Sequence, residues 1–177
     1  MLLKNVINRT IQILGLEDEV NISTPSRKLD KLADCANMVY NELTLQYIHL
    51  KSKEILNFSG GRAYYTDFTH RVREILSVKA RGSEIKFTMY PLFVEAGISG
   101  TAEVSYVYHL GELSLEDALI IPPQYTEYIL ATGVVAEYYY RTGLTDEALF
   151  YRQRYDTAIT NLSKRAGSVN LPRRRFV

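Results

Sequence analysis

Tryptophan is absent from this 177-residue chain and cysteine occurs once. A lone Cys35 cannot close an intramolecular disulfide, so a reducing compartment is the expected setting. Apolar stretches are short, Leu119-Ile120-Ile121 being typical, and none approaches the length of a membrane span. Residues 1–16 carry Lys4, Asn8 and Arg9 where a secretion signal needs an apolar centre. Neither export by a standard signal nor a membrane partner is therefore expected. His49, His70 and His109 are the only histidines, and no pair has metal-ligand spacing, so no metal or cofactor is expected. Gly60-Gly61 and residues 97–100 lack the Gly-Lys-Ser/Thr of a phosphate loop and read as turns. There is no Gly-x-Ser-x-Gly elbow. Glu17-Asp18-Glu19, Glu116-Asp117 and Asp146-Glu147 fall at loops or helix starts, where the helix dipole favours them; adjacent carboxylates diverge and cannot face each other across a cleft. The chain is expected not to be an enzyme.

What is present begins with size. A chain this long removes about 70% of its unfolded surface from water in one core, without a covalent staple. Tyrosine is abundant, at 14 residues, and suits surfaces that are half buried and half wet, as at subunit contacts. Lys+Arg 21 against Asp+Glu 20 leaves a net charge of +1, but the balance is uneven. Residues 164–177 hold Lys164, Arg165, Arg173, Arg174 and Arg175 and no acid, a charge of +5, so residues 1–163 carry −4.

The periodicities predict an α+β protein. Leu3, Val6, Ile7, Ile11 and Leu14 recur at helical spacing over 1–16, before Gly15. Ser23-Thr24-Pro25 then signals a start, and Leu29, Leu32, Ala36, Val39, Leu43, Tyr47 and Leu50 draw one apolar seam that predicts a long helix over 25–56. A period of two follows. Val72–Lys79, the Ile85, Phe87 and Met89 run, the Ala102, Val104, Tyr106 and Tyr108 run, and a shorter segment near Tyr64 predict an antiparallel β insertion over about 62–110. Residues 97–100 read as a flexible loop tip. Pro122-Pro123 introduces a helix over 123–141, Gly143 ends it, Thr145 is a natural N-cap, and a return helix runs over 145–165. Two helices joined so closely must be antiparallel neighbours. Residues 1–166 are thus expected to form one domain, and 167–177 an extended basic arm.

Two features point to partners. Tyr138-Tyr139-Tyr140 covers most of a helix circumference, so at least one ring must face away from the core, which suits a subunit interface. Lys164, Arg165, Arg173, Arg174, Arg175 and Phe176 combine guanidiniums with a terminal aromatic anchor, and such an arm can order on an acidic or phosphate-bearing partner. Nucleic-acid binding by this basic tail is the alternative reading.

The run Ile120-Ile121-Pro122-Pro123-Gln124-Tyr125-x-x-Tyr128-Ile129-Leu130-x-x-Gly133-x-x-Ala136-x-Tyr138-Tyr139, followed by Gly143-Leu144-Thr145-Asp146-Glu147-Ala148-x-x-Tyr151-x-x-x-Tyr155-x-x-Ala158-Ile159, resembles the helical hairpin of head-to-tail adaptor (connector) proteins of tailed phages. The detailed match spans about residues 118–165; the remainder agrees in element order and size, most with the tubular tail adaptors of short-tailed phages. The resemblance implies a virion protein at the head-tail junction, made in the host cytoplasm. It implies a ring, commonly of twelve copies, that touches the portal protein, its own neighbours and a tail nozzle or tail tube protein while DNA passes through the lumen. The basic arm would then dock on the portal or a neighbouring subunit, and the sheet with its 97–100 tip would face the next tail component.

Overall fold

The computed structural model describes residues 1–166, without the side chains of Lys164, Arg165 and Ala166; the expected arm at 167–177 lies outside the described residues. The chain is a mixed α and β protein. It divides into two compact units, one of Met1–Tyr40 with the chain from Leu113 onward and one of Asn41–Glu112. The β insertion has a hydrophobic core of its own.

In the helical unit, α1 (Leu3–Leu14) ends on Gly15, whose φ of 66° turns the chain so that the Leu16 amide donates to the Ile11 carbonyl at 3.1 Å, beside the Gly15 amide on Gln12. Helix α2 (Arg27–Gln46) starts in this unit, with the Ser26 hydroxyl accepting from the Leu29 amide at 3.2 Å. Helix α3 (Glu127–Thr142) is capped by the Thr126 hydroxyl, which accepts from the Ile129 amide, and ends on left-handed Gly143. The predicted start at 123 is thus four residues early, because Pro122-Pro123 belong to the approach. Helix α4 (Thr145–Ala166) begins at Thr145, so that residue is the first of the helix and not its cap. Residues 130–136 are buried without a break, which makes α3 the centre of the unit. An ideal Cβ on Gly133 would lie 2.9 Å from Tyr155 of α4 and 3.0 Å from Val39 of α2. The missing side chain is what lets three helices meet.

The segment entering α3 is tied down by backbone and side chain together. Leu3 and Lys4 donate to the carbonyls of Asp117 and Leu115, and Leu119 donates to Met1. The Asn37 amide donates to the Leu113 carbonyl at 3.0 Å and its oxygen accepts from the Leu113 amide at 2.8 Å. Asn37→Ala leaves both main-chain groups of Leu113 without that partner and is expected to cost about 1–2 kcal/mol. Urea unfolding measures the cost; an unchanged midpoint would show that water replaces the pair freely.

The β unit contains β1 (Lys51–Phe58), β2 (Arg62–Tyr64), β3 (Arg71–Ala80), β4 (Ser83–Ile85), β5 (Phe87–Met89), β6 (Phe93–Ala96) and β7 (Gly100–His109). They form two antiparallel sheets, ordered β1-β7-β3-β4 and β2-β6-β5. Residues 83–89 turn at Lys86 from the first sheet into the second, and Gly60-Gly61 carry the chain between them at β1–β2. Both glycines have positive φ, and the Gly61 carbonyl accepts from the Ala96 amide at 2.8 Å. Arg81 and Gly82, also at positive φ, make the two-residue turn that fixes the β3–β4 hairpin. Two register shifts in β3 against β7 add the twist needed to wrap one core. That core includes Phe58, Val78, Val94, Val104 and Tyr106.

The helix expected over 25–56 ends at Gln46, and residues 51–58 are strand β1. The Tyr47 and Ile48 amides both return to the Leu43 carbonyl at 3.0 Å, while the Arg73 guanidinium takes the Leu45 carbonyl at 2.8 Å. Beyond that closure the side chains alternate. Ser52, Glu54, Leu56 and Phe58 turn inward, and Lys51, Lys53, Ile55 and Asn57 outward. The β insertion therefore begins at residue 51 and not near 62. Residues 97–100 connect β6 to β7, with Gly100 already in the strand.

Candidate functional site

Of the residues singled out in the sequence, Lys164 and Arg165 lie in α4, while Arg173, Arg174, Arg175 and Phe176 lie outside the described residues. The tyrosine run divides by turn of helix: Tyr138 and Tyr139 are half-buried, and Tyr140 is the exposed ring. Tyr139 packs toward Tyr151 with centroids 5.8 Å apart, and burial, helped by Tyr151 and Glu147, raises its pKa. Two of the three rings are thus partly committed to the fold. Cys35 is fully buried, and that burial pushes its thiol up to about 11, so it is a packing residue.

No group of three or more His, Cys, Asp or Glu side chains among the described residues could hold a metal. His70 stacks on Tyr108 with centroids 4.3 Å apart. A hollow of the β unit, about 640 Å³ and open to solvent, is lined by turn residues such as Gly60, Gly61 and Gly97 with Lys86 and Glu95. A second hollow, of about 530 Å³, runs beside α1 and contains Glu17 and an ion pair of Lys4 with Glu116 at 2.6 Å. Glu95 is likewise paired, with Arg62 at 3.1 Å.

The helical unit carries a surface that periodicity could not reveal. The Arg9 guanidinium of α1 lies over the Tyr128 ring of α3, 5.7 Å from its centroid. The Tyr128 hydroxyl accepts from Arg154 Nη2 of α4 at 2.8 Å. Arg154 in turn lies 5.5 Å from the centroid of Phe150, one turn earlier on its own helix. Two cations and two rings thus alternate across three helices, all four side chains exposed. Neither guanidinium meets a carboxylate among the described residues, and the adjacent Glu127 accepts from Asn5 at 3.1 Å. Only the Phe150 and Arg154 spacing is legible in the sequence; Arg9 and Tyr128 are 119 residues apart.

The β unit shows a second aromatic group. Phe93 stands between Tyr64, edge-on at 5.8 Å, and Tyr90, stacked at 4.9 Å, with Arg62 4.7 Å from its centroid. The Arg62–Glu95 pair leaves this face electrically balanced.

Compared with models of protein families and with curated proteins, the chain matches none.

Proposed function

We propose that the chain is a virion structural protein, a head-to-tail adaptor that forms a ring between the portal and tail of a phage and passes DNA without catalysing a reaction. The observation that carries the reading is the hairpin sequence from Ile120 to Ile159, which resembles that of such adaptors, set in an order of two helices, an antiparallel β insertion and the α3–α4 pair. Tyr125, Leu130, Ala136, Tyr155 and Ile159 of that sequence are buried, so the resemblance supports the scaffold. Support for partner binding comes from charge. A conduit should not hold the polyanion it conducts, and residues 1–163 carry −4. The cations of 164–177 supply the charge that a portal subunit would bind.

On this reading the full chain decorates purified portal as rings in negative-stain images, and deletion of 167–177 abolishes decoration while leaving the circular dichroism unchanged. Undiminished decoration by the deleted chain would remove the docking role of the arm. The alternative, a nucleic-acid-binding protein, rests on the same five cations. It requires a low-salt gel shift of DNA that Arg173→Ala, Arg174→Ala and Arg175→Ala together remove.

A further inference from the structure

We infer that the stripe Arg9, Tyr128, Arg154 and Phe150 is the contact by which one copy of this chain holds a second, its guanidiniums meeting carboxylates of the neighbour. The inference rests on the proposed ring and supplies the subunit surface that the ring requires.

Composition is the first argument. Protein interfaces are enriched in arginine and aromatic side chains and depleted in lysine and acids, and the four residues of the stripe are two of each favoured kind. Phe150 adds apolar area one turn from Arg154 on the same face of α4, at 55% exposure.

Preorganisation is the second. An exposed arginine ordinarily loses rotamer freedom when it binds. Here Arg9 is held by the Tyr128 ring and by the Gln12 side chain at 2.8 Å, and Arg154 by the Tyr128 hydroxyl and the Phe150 ring. Both forks are set before the partner arrives, and neither forms an ion pair among the described residues.

Charge decides the occupant. Residues 1–40 and 113–163 hold 8 basic and 12 acidic residues, a net −4, whereas residues 41–112 hold 8 of each. All of the negative excess of residues 1–163 therefore lies in the helical unit. A second helical unit brings exposed carboxylates that complement the charge of the stripe. Glu17 and Asp18, exposed in the turn after α1, have no cationic partner among the described residues and offer two adjacent carboxylates. Contact between two different patches is heterologous, the kind that closes into a ring.

Self-association of the full chain by sedimentation, with and without purified portal, tests this separately from the adaptor role. The wild type is expected to associate in a salt-sensitive way. Arg9→Glu with Arg154→Glu is expected to weaken association at least tenfold with unchanged circular dichroism, Phe150→Ser to weaken it without altering charge, and Glu17→Arg with Asp18→Arg to restore it in the charge-reversed chain. If the reversed chain forms full rings on portal, the inference falls and the adaptor reading stands. If the wild type self-associates through the stripe but ignores portal, the adaptor reading falls and the inference stands. A wild type that stays monomeric in both settings overturns both. Salt-sensitive binding of an oligonucleotide that the reversal removes, with self-association intact, would assign the stripe to nucleic acid and overturn the inference.

Discussion

Gly133→Val is expected to destabilise the helical unit by about 3 kcal/mol, near the upper end of what overpacking costs. The first carbon of any side chain at this position meets Tyr155 Cδ2 at 2.9 Å, Tyr155 Cε2 at 3.0 Å and Val39 Cγ1 at 3.0 Å. Tyr155 is 1% exposed, so its ring is enclosed by the core. Alanine is the sharper comparison. In an isolated helix it would stabilise by roughly 1 kcal/mol relative to glycine, so a net loss of about 1 kcal/mol in the folded chain would mean a packing cost of about 2. Chemical denaturation of Gly133→Ala and Gly133→Val, with Tyr155→Leu added to each, gives the coupling between the two positions. An alanine variant about 1 kcal/mol more stable than the parent would show that α3 and α4 move apart freely. The packing also reaches the surface. The Arg154 to Tyr128 hydrogen bond spans α4 and α3, so a shifted hairpin misplaces the proposed subunit contact. Gly133→Ala should weaken self-association even where the chain is fully folded.

The helices at 1–16, 123–141 and 145–165 were legible because each has a period near 3.6 bounded by glycine or proline. Glycines 15 and 143 end their helices in the left-handed conformation, as their positions in the sequence imply. The end of α2 was not legible, since no glycine or proline marks Gln46 and Leu50 happens to extend the apolar seam. Its closing donor, Arg73, comes from a strand 28 residues away. The same limit applies to β1, where Ser52 and Glu54 occupy inward positions and disguise the alternation. A polar residue can turn inward only if the fold supplies a partner, and that partner is tertiary information. The arginine and tyrosine stripe was hidden for the same reason. Tyr138-Tyr139-Tyr140 is visible in the sequence as a run, while Tyr128, an exposed ring that meets two arginines, stands alone in it.

The inward Glu54 leads to the second large effect. Its carboxylate accepts from the Tyr106 hydroxyl and, at 3.1 Å, from the Thr69 amide. Burial alone would raise the Glu54 pKa, but the Tyr106 and Thr69 hydrogen bonds outweigh it and hold the carboxyl below its ordinary value. Tyr106, fully buried in the β core, is pushed up to about 12, first by burial and then by its bond to Glu54. The two shifts act at opposite ends of the pH scale. Glu54 has a folded pKa below its unfolded one, so its contribution is present above pH 4.5 and is lost as pH falls through the depressed folded value. Tyr106 has a folded pKa above its unfolded one, so its contribution is complete below pH 10 and is lost as pH rises toward 12. Tyr106→Phe keeps the ring but strands a partly desolvated carboxylate, and is expected to cost about 1.5–3 kcal/mol at neutral pH. Removing the partner also lets burial dominate at Glu54, raising its pKa, so the acid unfolding limb should move to higher pH and the alkaline limb flatten. Glu54→Gln should abolish most of the acid limb while retaining an acceptor for Tyr106. Unfolding midpoints of the three chains between pH 3 and 11 measure both limbs. An acid limb identical in parent and Tyr106→Phe would mean that the Glu54 carboxylate draws nothing from the tyrosine, and that β1 is held inward by Leu56 and Phe58 alone.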